Sequence, residues 1–562
     1  MTARPPVCPS RANAACAQPH ARLSCFIVLL VAGLSTGWAS AQSLPGGILD
    51  GGGQTSSGIG GGAVGVGTQS GIAQPGVPQA GAAGQRGLTI VPRIEAGIVY
   101  SDNVAFSTTN RRGGFIYELS PGIRVSSYGG RIRGFLDYSL RGFAYSGGTS
   151  PATVHNELNA LATLEAVDRK VFVDVGGRIS RATVSAFGVQ TSDASRPNAN
   201  STELRTYYVS PYARGRFSDL ANYELRYRSA VSSSDSTPSS DATIQEFIGS
   251  LREDYPSRHV GWALEGSRSI VDYKNTRDID ASMVRGVLSL IFNPQFRVFG
   301  STGREVNNFL SEEQRSYTTY GAGLRWRPSP LTRLEVEQQR RFFGFGHTYL
   351  AEVRTPQSAL RFTDLKDIVI GRGFNDIGSQ GSVYDLLFSQ FTSVEPDPDK
   401  RAALVNQYLQ RNGFNGNSAV NSSVFASSTT LRRDQQFSYS LIGKRDVVTL
   451  LFGQTNSRLL DAASAVDGDF ARANEIRQRR IGATYAHTLT PSATVNVTGL
   501  IQKVSSPGNA LGTNLRTISI NYTSRLAPKL FFSAGAIKSF SSGGGVSSFD
   551  ELSIFSRVSL RF

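Results

Sequence analysis

Hydrolytic and metal chemistry rest on a few residue types at short, fixed spacings, and this chain offers few of them. Its five histidines are His20, His155, His259, His347 and His487, and no two stand at a metal-binding spacing. Its three cysteines, Cys8, Cys16 and Cys25, all lie within the first 25 residues. Gly33-Leu34-Ser35-Thr36-Gly37 has the nucleophile-elbow pattern, but it lies in a secretory leader and is a chance match. His155 with Glu157, and His347, stand near predicted outer strand ends, where an acid–base group could serve a hydrolase; a solvated loop histidine is the far commoner case. Asp397 and Asp399 have oxygen ligands for calcium, yet helix capping already accounts for Asp397. The expectation is therefore no catalytic residue, no metal ligand and no cofactor.

Arginine is the chemistry-bearing residue that recurs with a pattern. In Arg131 to Ala144, Ile132, Leu136, Tyr138 and Leu140 share one parity, while Arg131, Arg133, Asp137 and Arg141 share the other. Asn222 to Val231 repeats this with Arg226 and Arg228, and later segments add Arg325, Arg327 and Arg333. Side chains alternate between the faces of a strand, so these arginines line one face. Fifteen arginines fall on that parity, against eight acids: Asp137, Glu157, Glu165, Asp174, Glu224, Glu265, Glu335 and Glu337. Fixed positive charge in a low-dielectric tube favours anions. Alternatively, the arginines pair across strands and fill the tube; both readings stand at this point.

The elements that must position these residues are strands of about ten alternating residues, separated by Gly, Pro, Asp, Asn or Ser clusters. This texture runs from Leu88 to Phe562. The last strand, Asp550 to Phe562, sets Leu552, Ile554, Val558, Leu560 and Phe562 on one face. Val558, Leu560 and the terminal Phe562 have the form of an assembly signal for an outer-membrane barrel. Short turns such as Val167-Asp168-Arg169-Lys170 alternate with longer loops such as Ala186 to Thr202 and Leu460 to Asn474. That is the short-periplasmic, long-outer pattern of bacterial barrels. Tyr223, Trp262, Phe292, Phe296 and Trp326 collect beside the short turns, as an aromatic girdle requires. An even strand count needs a turn at Arg354-Thr355-Pro356-Gln357, where Pro356 lacks the amide of a central ladder. The fold class expected is all-β: an antiparallel transmembrane β-barrel of about 22 strands.

One interval breaks the alternation. Over 366–428, Val383, Leu387, Phe388 and Phe391 stand at helical spacing, and Asp397-Pro398 looks like the start of a second helix. The spacing predicts a two-helix insertion, acting as an outer loop or a plug.

Residues 1–41 read as a signal peptide: Arg11 and Arg22, an apolar core from Phe26 to Leu34, and Ala39-Ser40-Ala41 for cleavage. Residues 42–87 are Gly-rich and low in complexity, a disordered tail, and 88–562 form the barrel domain. Cleavage would leave no cysteine and 55 basic against 43 acidic residues. The arginines are spread along strand faces with no dense basic arm, so no nucleic-acid partner is expected.

The residues from Trp326-Arg327-Pro328-Ser329-Pro330-Leu331-Thr332 through Arg341-Phe342-Phe343-Gly344 and Arg354-Thr355-Pro356, with Leu441-Ile442-Gly443-Lys444-Arg445-Asp446, give a family likeness. The chain resembles the outer-membrane barrels associated with PEP-CTERM and exosortase systems, which are linked to exopolysaccharide loci; Leu331 departs from the arginine expected there. The resemblance implies location and context more than mechanism. The function expected is a porin-like outer-membrane channel for anionic small solutes or saccharides, not an enzyme. Outer-membrane lipid and the barrel assembly machinery are the expected partners, with polysaccharide or an anionic solute as ligand. The alternative is a non-conducting barrel that docks surface polysaccharide or a protein partner; an outer-membrane hydrolase is the third reading.

Overall fold

Segments rich in Val, Ile, Tyr, Phe and Thr fit a pleated surface, and here each of them pairs with the next. A computed structural model describes residues 87–562, apart from 110, 129, 149–150, 192–197, 199, 219, 236–240, 254–258, 275–276, 371–428, 461–467 and 545–547. The strands are β1 (Gly87–Ser101), β2 (Gly114–Tyr128), β3 (Ile132–Tyr145), β4 (Thr153–Val167), β5 (Val171–Thr183), β6 (Ser201–Phe217), β7 (Ala221–Ser234), β8 (Ala242–Glu253), β9 (Val260–Tyr273), β10 (Ile279–Asn293) and β11 (Phe296–Asn307). They continue as β12 (Arg315–Ser329), β13 (Thr332–Arg341), β14 (Gly344–Arg354), β15 (Ser358–Val369), β16 (Thr430–Ile442), β17 (Asp446–Leu459), β18 (Glu475–Thr490), β19 (Ala493–Ser505), β20 (Gly512–Ala527), β21 (Leu530–Gly544) and β22 (Phe549–Arg561). Consecutive strands pair antiparallel, and β1 pairs with β22, so 22 strands close into a barrel.

Register fixes which parity faces in. The outward face of β22 carries Leu552, Ile554, Ser556, Val558 and Leu560, opposite Ile94, Ala96, Ile98 and Tyr100 of β1. Leu288, Leu290, Phe292 and Trp326 are among the exposed apolar residues of this exterior. An apolar outer face on a closed sheet is the solution for a chain solvated by hydrocarbon, where no backbone amide can stay unpaired. Prolines mark where the ladder lapses. Pairing of β2 with β3 skips Ser120-Pro121, and pairing of β6 with β7 skips Ser210-Pro211.

The turn expected at Pro356 is present: β14 ends at Arg354, β15 starts at Ser358, and Thr355 donates its amide to the Ser358 carbonyl. It keeps the count even. One connection at the long-loop end departs from the expected alternation, because β13 and β14 are joined by Phe342-Phe343 alone. Gly344 follows at φ 101°, a conformation that only glycine adopts freely. Both rings are held: Phe342 stacks on Phe309 at 5.3 Å and meets Phe343 edge-on at the same distance.

Two expectations need correction. Arg131 does not lie on a strand; it sits in the short β2–β3 turn, and its guanidinium pairs at 3.0 Å with Asp168 of the neighbouring turn. Residues Lys366–Val369, counted with the helical insertion, instead complete β15. From residue 371 to 428 the expected insertion lies outside the described residues, as do the expected signal peptide and nearly all of the expected tail. Among the described residues there is no α-helix.

Inward aromatic rings pack onto glycines of the next strand: Tyr208 over Gly176, Phe299 over Gly323 and Phe555 over Gly535. A Cβ at Gly323 would strike both the Phe299 ring and the Val336 carbonyl, 2.6 Å away. Gly323→Val is expected to cost about 1–3 kcal/mol, read as a lower urea midpoint for the heat-modifiable folded band on a gel.

Candidate functional site: the inner wall and its covered mouth

Alternation along β1 to β15 brings arginines and carboxylates from successive strands onto one inner wall. Arg285 is the most deeply buried of them, at 1% exposure, and reaches Glu265 at 2.8 Å and Glu337 at 2.9 Å. Arg341 lies between Glu305 and Asp367, each at 2.6 Å. Among the arginines expected to line the lumen, Arg226 pairs with Asp174 at 2.8 Å and Glu224 at 3.2 Å. Arg228 pairs with Glu246 at 3.7 Å, and Arg141 with Glu157 at 3.4 Å and Glu118 at 3.9 Å. Arg133 also falls on the inward parity, near the turn end of β3. These pairs are partly desolvated, so each is costly to break even where its net gain is small.

The eight acids read from the sequence are joined on the inner parity by Glu95, Glu118, Glu246, Glu305, Glu352, Asp367, Asp434 and Glu551. The inner parity also gains arginines, among them Arg93, Arg124, Arg252, Arg354 and Arg432, so most inner acids are paired and arginine stays in excess. One place shows that excess most plainly. Arg325, Arg327 and Arg333 converge on the single carboxylate Glu335 at 3.9, 3.6 and 2.9 Å, and Arg297 stands opposite Arg325 in register. This cluster sits at the short-turn end of β11–β13. Here the local charge is positive, and Arg327 and Arg333 keep about a third of their side-chain surface exposed.

The inner wall of β16 to β20 is chemically different. Thr484 faces Thr498, Thr498 faces Ser519, and Asn496 faces Asn521. Hydroxyls and amides dominate it, with Arg432, Asp434 and Arg480 as charged residues among them.

At the long-loop end the wall becomes apolar and is covered. Ile244, Val271, Ile279 and Ala281 form a buried cluster with Phe309 of the β11–β12 loop and with Ile368 and Ile370 at the end of β15. A second cluster joins Ala186 and Phe187 of the β5–β6 loop to Phe470 and Ala473 of the β17–β18 loop, and to Ile476 and Val504 on the wall. Those loops leave the barrel on opposite sides, so they meet across its mouth. Asp469, 4% exposed, ties them: it accepts from Ser185 Oγ at 2.5 Å and the Ala186 amide at 2.6 Å. Asn200 holds the loop's own bend, accepting from the Ser185 amide at 2.8 Å and donating to the Ser185 and Val189 carbonyls. Thr513 Oγ1 donates to the Ala186 carbonyl at 3.1 Å, which fastens the loop to β20. Sequence reasoning treated 186–202 as a plain polar loop; the only signal was the apolar run Ala186-Phe187-Gly188-Val189 inside it.

The two histidines weighed for hydrolysis lie apart. His155 is within 2.9 Å of an Arg181 nitrogen, while His347 pairs with Asp364 at 2.9 Å on the outward face. Among the described residues no cluster of three metal-ligating side chains occurs.

No family model and no curated relative matches the chain. Solved barrels that it resembles include the ferric-catecholate import receptor Fiu from E. coli K12, at 7% identity over 84% of this chain and 81% of that one, with a TM-score of 0.45. Others are the siderophore receptor PirA from Acinetobacter baumannii (9%; 84% and 80%; TM-score 0.42) and OprD from Pseudomonas aeruginosa (7%; 84% and 95%; TM-score 0.31). At these identities the likeness is one of fold, and TM-scores this low carry no argument about function.

Arg285→Met would leave Glu337 buried without its partner, and a loss of about 3–5 kcal/mol in unfolding free energy is expected. Adding Glu337→Leu to it should restore much of that loss in the same urea titration.

Proposed function

We propose that the chain is a porin-like outer-membrane channel for anionic small solutes or saccharides, working beside an exopolysaccharide and PEP-CTERM sorting system. The carrying observation is the positive cluster of Arg297, Arg325, Arg327 and Arg333 around Glu335, on the wall of a barrel too wide for side chains alone to fill. Elsewhere most inner acids are paired with arginines and solvate a lumen. At this cluster an anion would meet fixed guanidinium charge in a confined, low-dielectric setting. The apolar exterior and the leader-like amino terminus support placement in the outer membrane. Val558, Leu560 and Phe562 share the outward face of β22, as a signal for the assembly machinery would.

A second reading has its own observation. The β5–β6 and β17–β18 loops meet over the mouth, and Ile370, the last residue described before the insertion, is buried in the inner-wall cluster. A covered mouth suits a non-conducting barrel that presents its outer loops to surface polysaccharide or a protein.

Single-channel recording of the refolded protein in a planar bilayer separates the two. Steady steps with anion-selective reversal potentials are expected, and Arg327→Gln with Arg333→Gln should lower the anion/cation permeability ratio roughly twofold or more. Selectivity unmoved by that pair overturns the role of the cluster. A folded wild type that is silent, with current appearing on Asp469→Ala, favours the covered barrel.

A further inference from the structure

The exterior of β15 to β20 is not uniformly apolar. Its outward residues can be followed row by row around the sheet, because each row is a set of register partners. One row reads Phe362, Phe437, Phe452, Ile481 and Ile501. The next row toward the long-loop end reads Asp364, Gln435, Gln454, Arg479 and Lys503, and the one beyond it Lys366, Arg433, Asn456 and Arg477. The change from hydrocarbon-compatible to charged side chains takes one step, ~7 Å along the strand.

Strands in a barrel are tilted, so a row of register partners climbs as it goes round, and a level line crosses from row to row. Arg516 of β20, register partner of Ile501, extends the charged band along such a line. Arg479 and Lys503 stand directly opposite each other, and Arg516 is diagonal to Lys503. Directly opposed and diagonal partners are ~5 Å and ~8 Å apart at Cβ. All three are exposed. At the long-loop end of this face of β15 to β20 the negative charges among the described residues are Asp364 and Glu475, and each already has an arginine: Arg433 at 2.6 Å and Arg477 at 3.4 Å. Arg479 is oriented by the Gln454 side-chain oxygen at 2.8 Å.

We infer that Arg479, Lys503 and Arg516 form an outward-facing site for the phosphate groups of a phosphorylated glycolipid headgroup in the outer leaflet. The site stands at the upper edge of the apolar belt, which is the height of the headgroups. Guanidinium and ammonium groups spaced over two strands suit a headgroup carrying phosphomonoesters, and the aromatic and aliphatic row beneath (Phe437, Phe452, Ile481 and Ile501) suits its acyl chains. Among the described residues the opposite wall has no such surplus at this height: Arg268 is bound by Asp280 at 2.9 Å, and Arg205 by Glu203 at 2.8 Å. The inference rests on the outer-membrane placement proposed above and not on conduction.

The test uses the full chain, refolded in detergent, with heat-modifiable migration as proof of folding. Binding of labelled lipopolysaccharide is compared with that of its enzymatically dephosphorylated form, with phosphatidylglycerol, and with displacement by inorganic phosphate. Wild type should prefer the phosphorylated glycolipid, and the triple variant Arg479→Gln, Lys503→Gln, Arg516→Gln should bind it roughly 100-fold more weakly. Arg268→Gln should change nothing. Unchanged binding by the triple variant, equal binding of the dephosphorylated lipid or phosphatidylglycerol, or displacement by equimolar inorganic phosphate would overturn the assignment. Should the triple variant fail to fold, the salt dependence of wild-type binding decides: no weakening with rising salt excludes a charge-held headgroup. A barrel that binds the lipid yet carries no current would sink the channel reading and leave this one standing.

Discussion

The pairing of β1 with β22 is the constraint on which the rest depends. A sheet with two free edges would leave two rows of backbone amides and carbonyls without partners in hydrocarbon, each costing several kcal/mol. Here Arg93 to Ser101 meets Arg561 to Ser553, the Phe562 amide donates to the Pro92 carbonyl at 3.0 Å, and the Asp102 amide donates to Leu552 at 3.1 Å. Pro92 has no amide to offer, and it stands just past the last registered pair, where it need only accept. Closure fixes the register, and register fixes which parity faces lipid. A slip of one residue anywhere would turn an Arg–Glu rung outward and its Leu and Ile neighbours inward.

That parity rule explains why so much charge can sit inside. An arginine on the inner wall is flanked by the strands on either side, and their inward residues are at contact distance. Arg285 on β10 has Glu265 on β9 and Glu337 on β13, three strands further on. Such pairs bring modest net stability, since desolvation offsets attraction, but they penalise every alternative register in which one member is left alone. The pairing of most inner acids with an arginine follows from this need. The cluster at Glu335 departs from it in a part of the wall where Arg327 and Arg333 remain partly solvated and the excess charge is less costly.

Much of this was legible in the sequence, because a period of two is a robust signal where one face is uniformly apolar. The strand number, the turn at Pro356, the apolar face of β22 and the inward parity of Arg133, Arg141, Arg226, Arg228, Arg325, Arg327 and Arg333 follow from it. Arg131 was misplaced because alternation runs on smoothly into a turn, and nothing local marks where pairing stops. Glu246 on β8 and Glu305 on β11 were missed for a different reason. On β8 to β10 the inward face is itself apolar at the loop end, with Ile244, Val271 and Ile279, so the rule of polar inside and apolar outside fails beside them. The loop contacts were illegible altogether. Phe187 and Phe470 are 283 residues apart and meet only because the barrel brings opposite loops over one opening.

The apolar inner wall and the covering loops require each other. Val271, Ile279 and Ala281 would be wet on an open lumen, at a cost of roughly 25 cal/mol for each square ångström of apolar surface. They are dry because Phe309, Ile368 and Ile370 lie on them. Among their described residues the loops hold nothing longer than the single turn Asp469–Ala471, and they owe their positions to that wall and to Asp469. Its carboxylate is buried and its two donors come from the far loop, so withdrawing the loop would strand the charge unless water followed it in. Opening such a mouth is therefore a hydration step as much as a movement. Release of the loops from Asp469 and entry of water to its carboxylate are the same change.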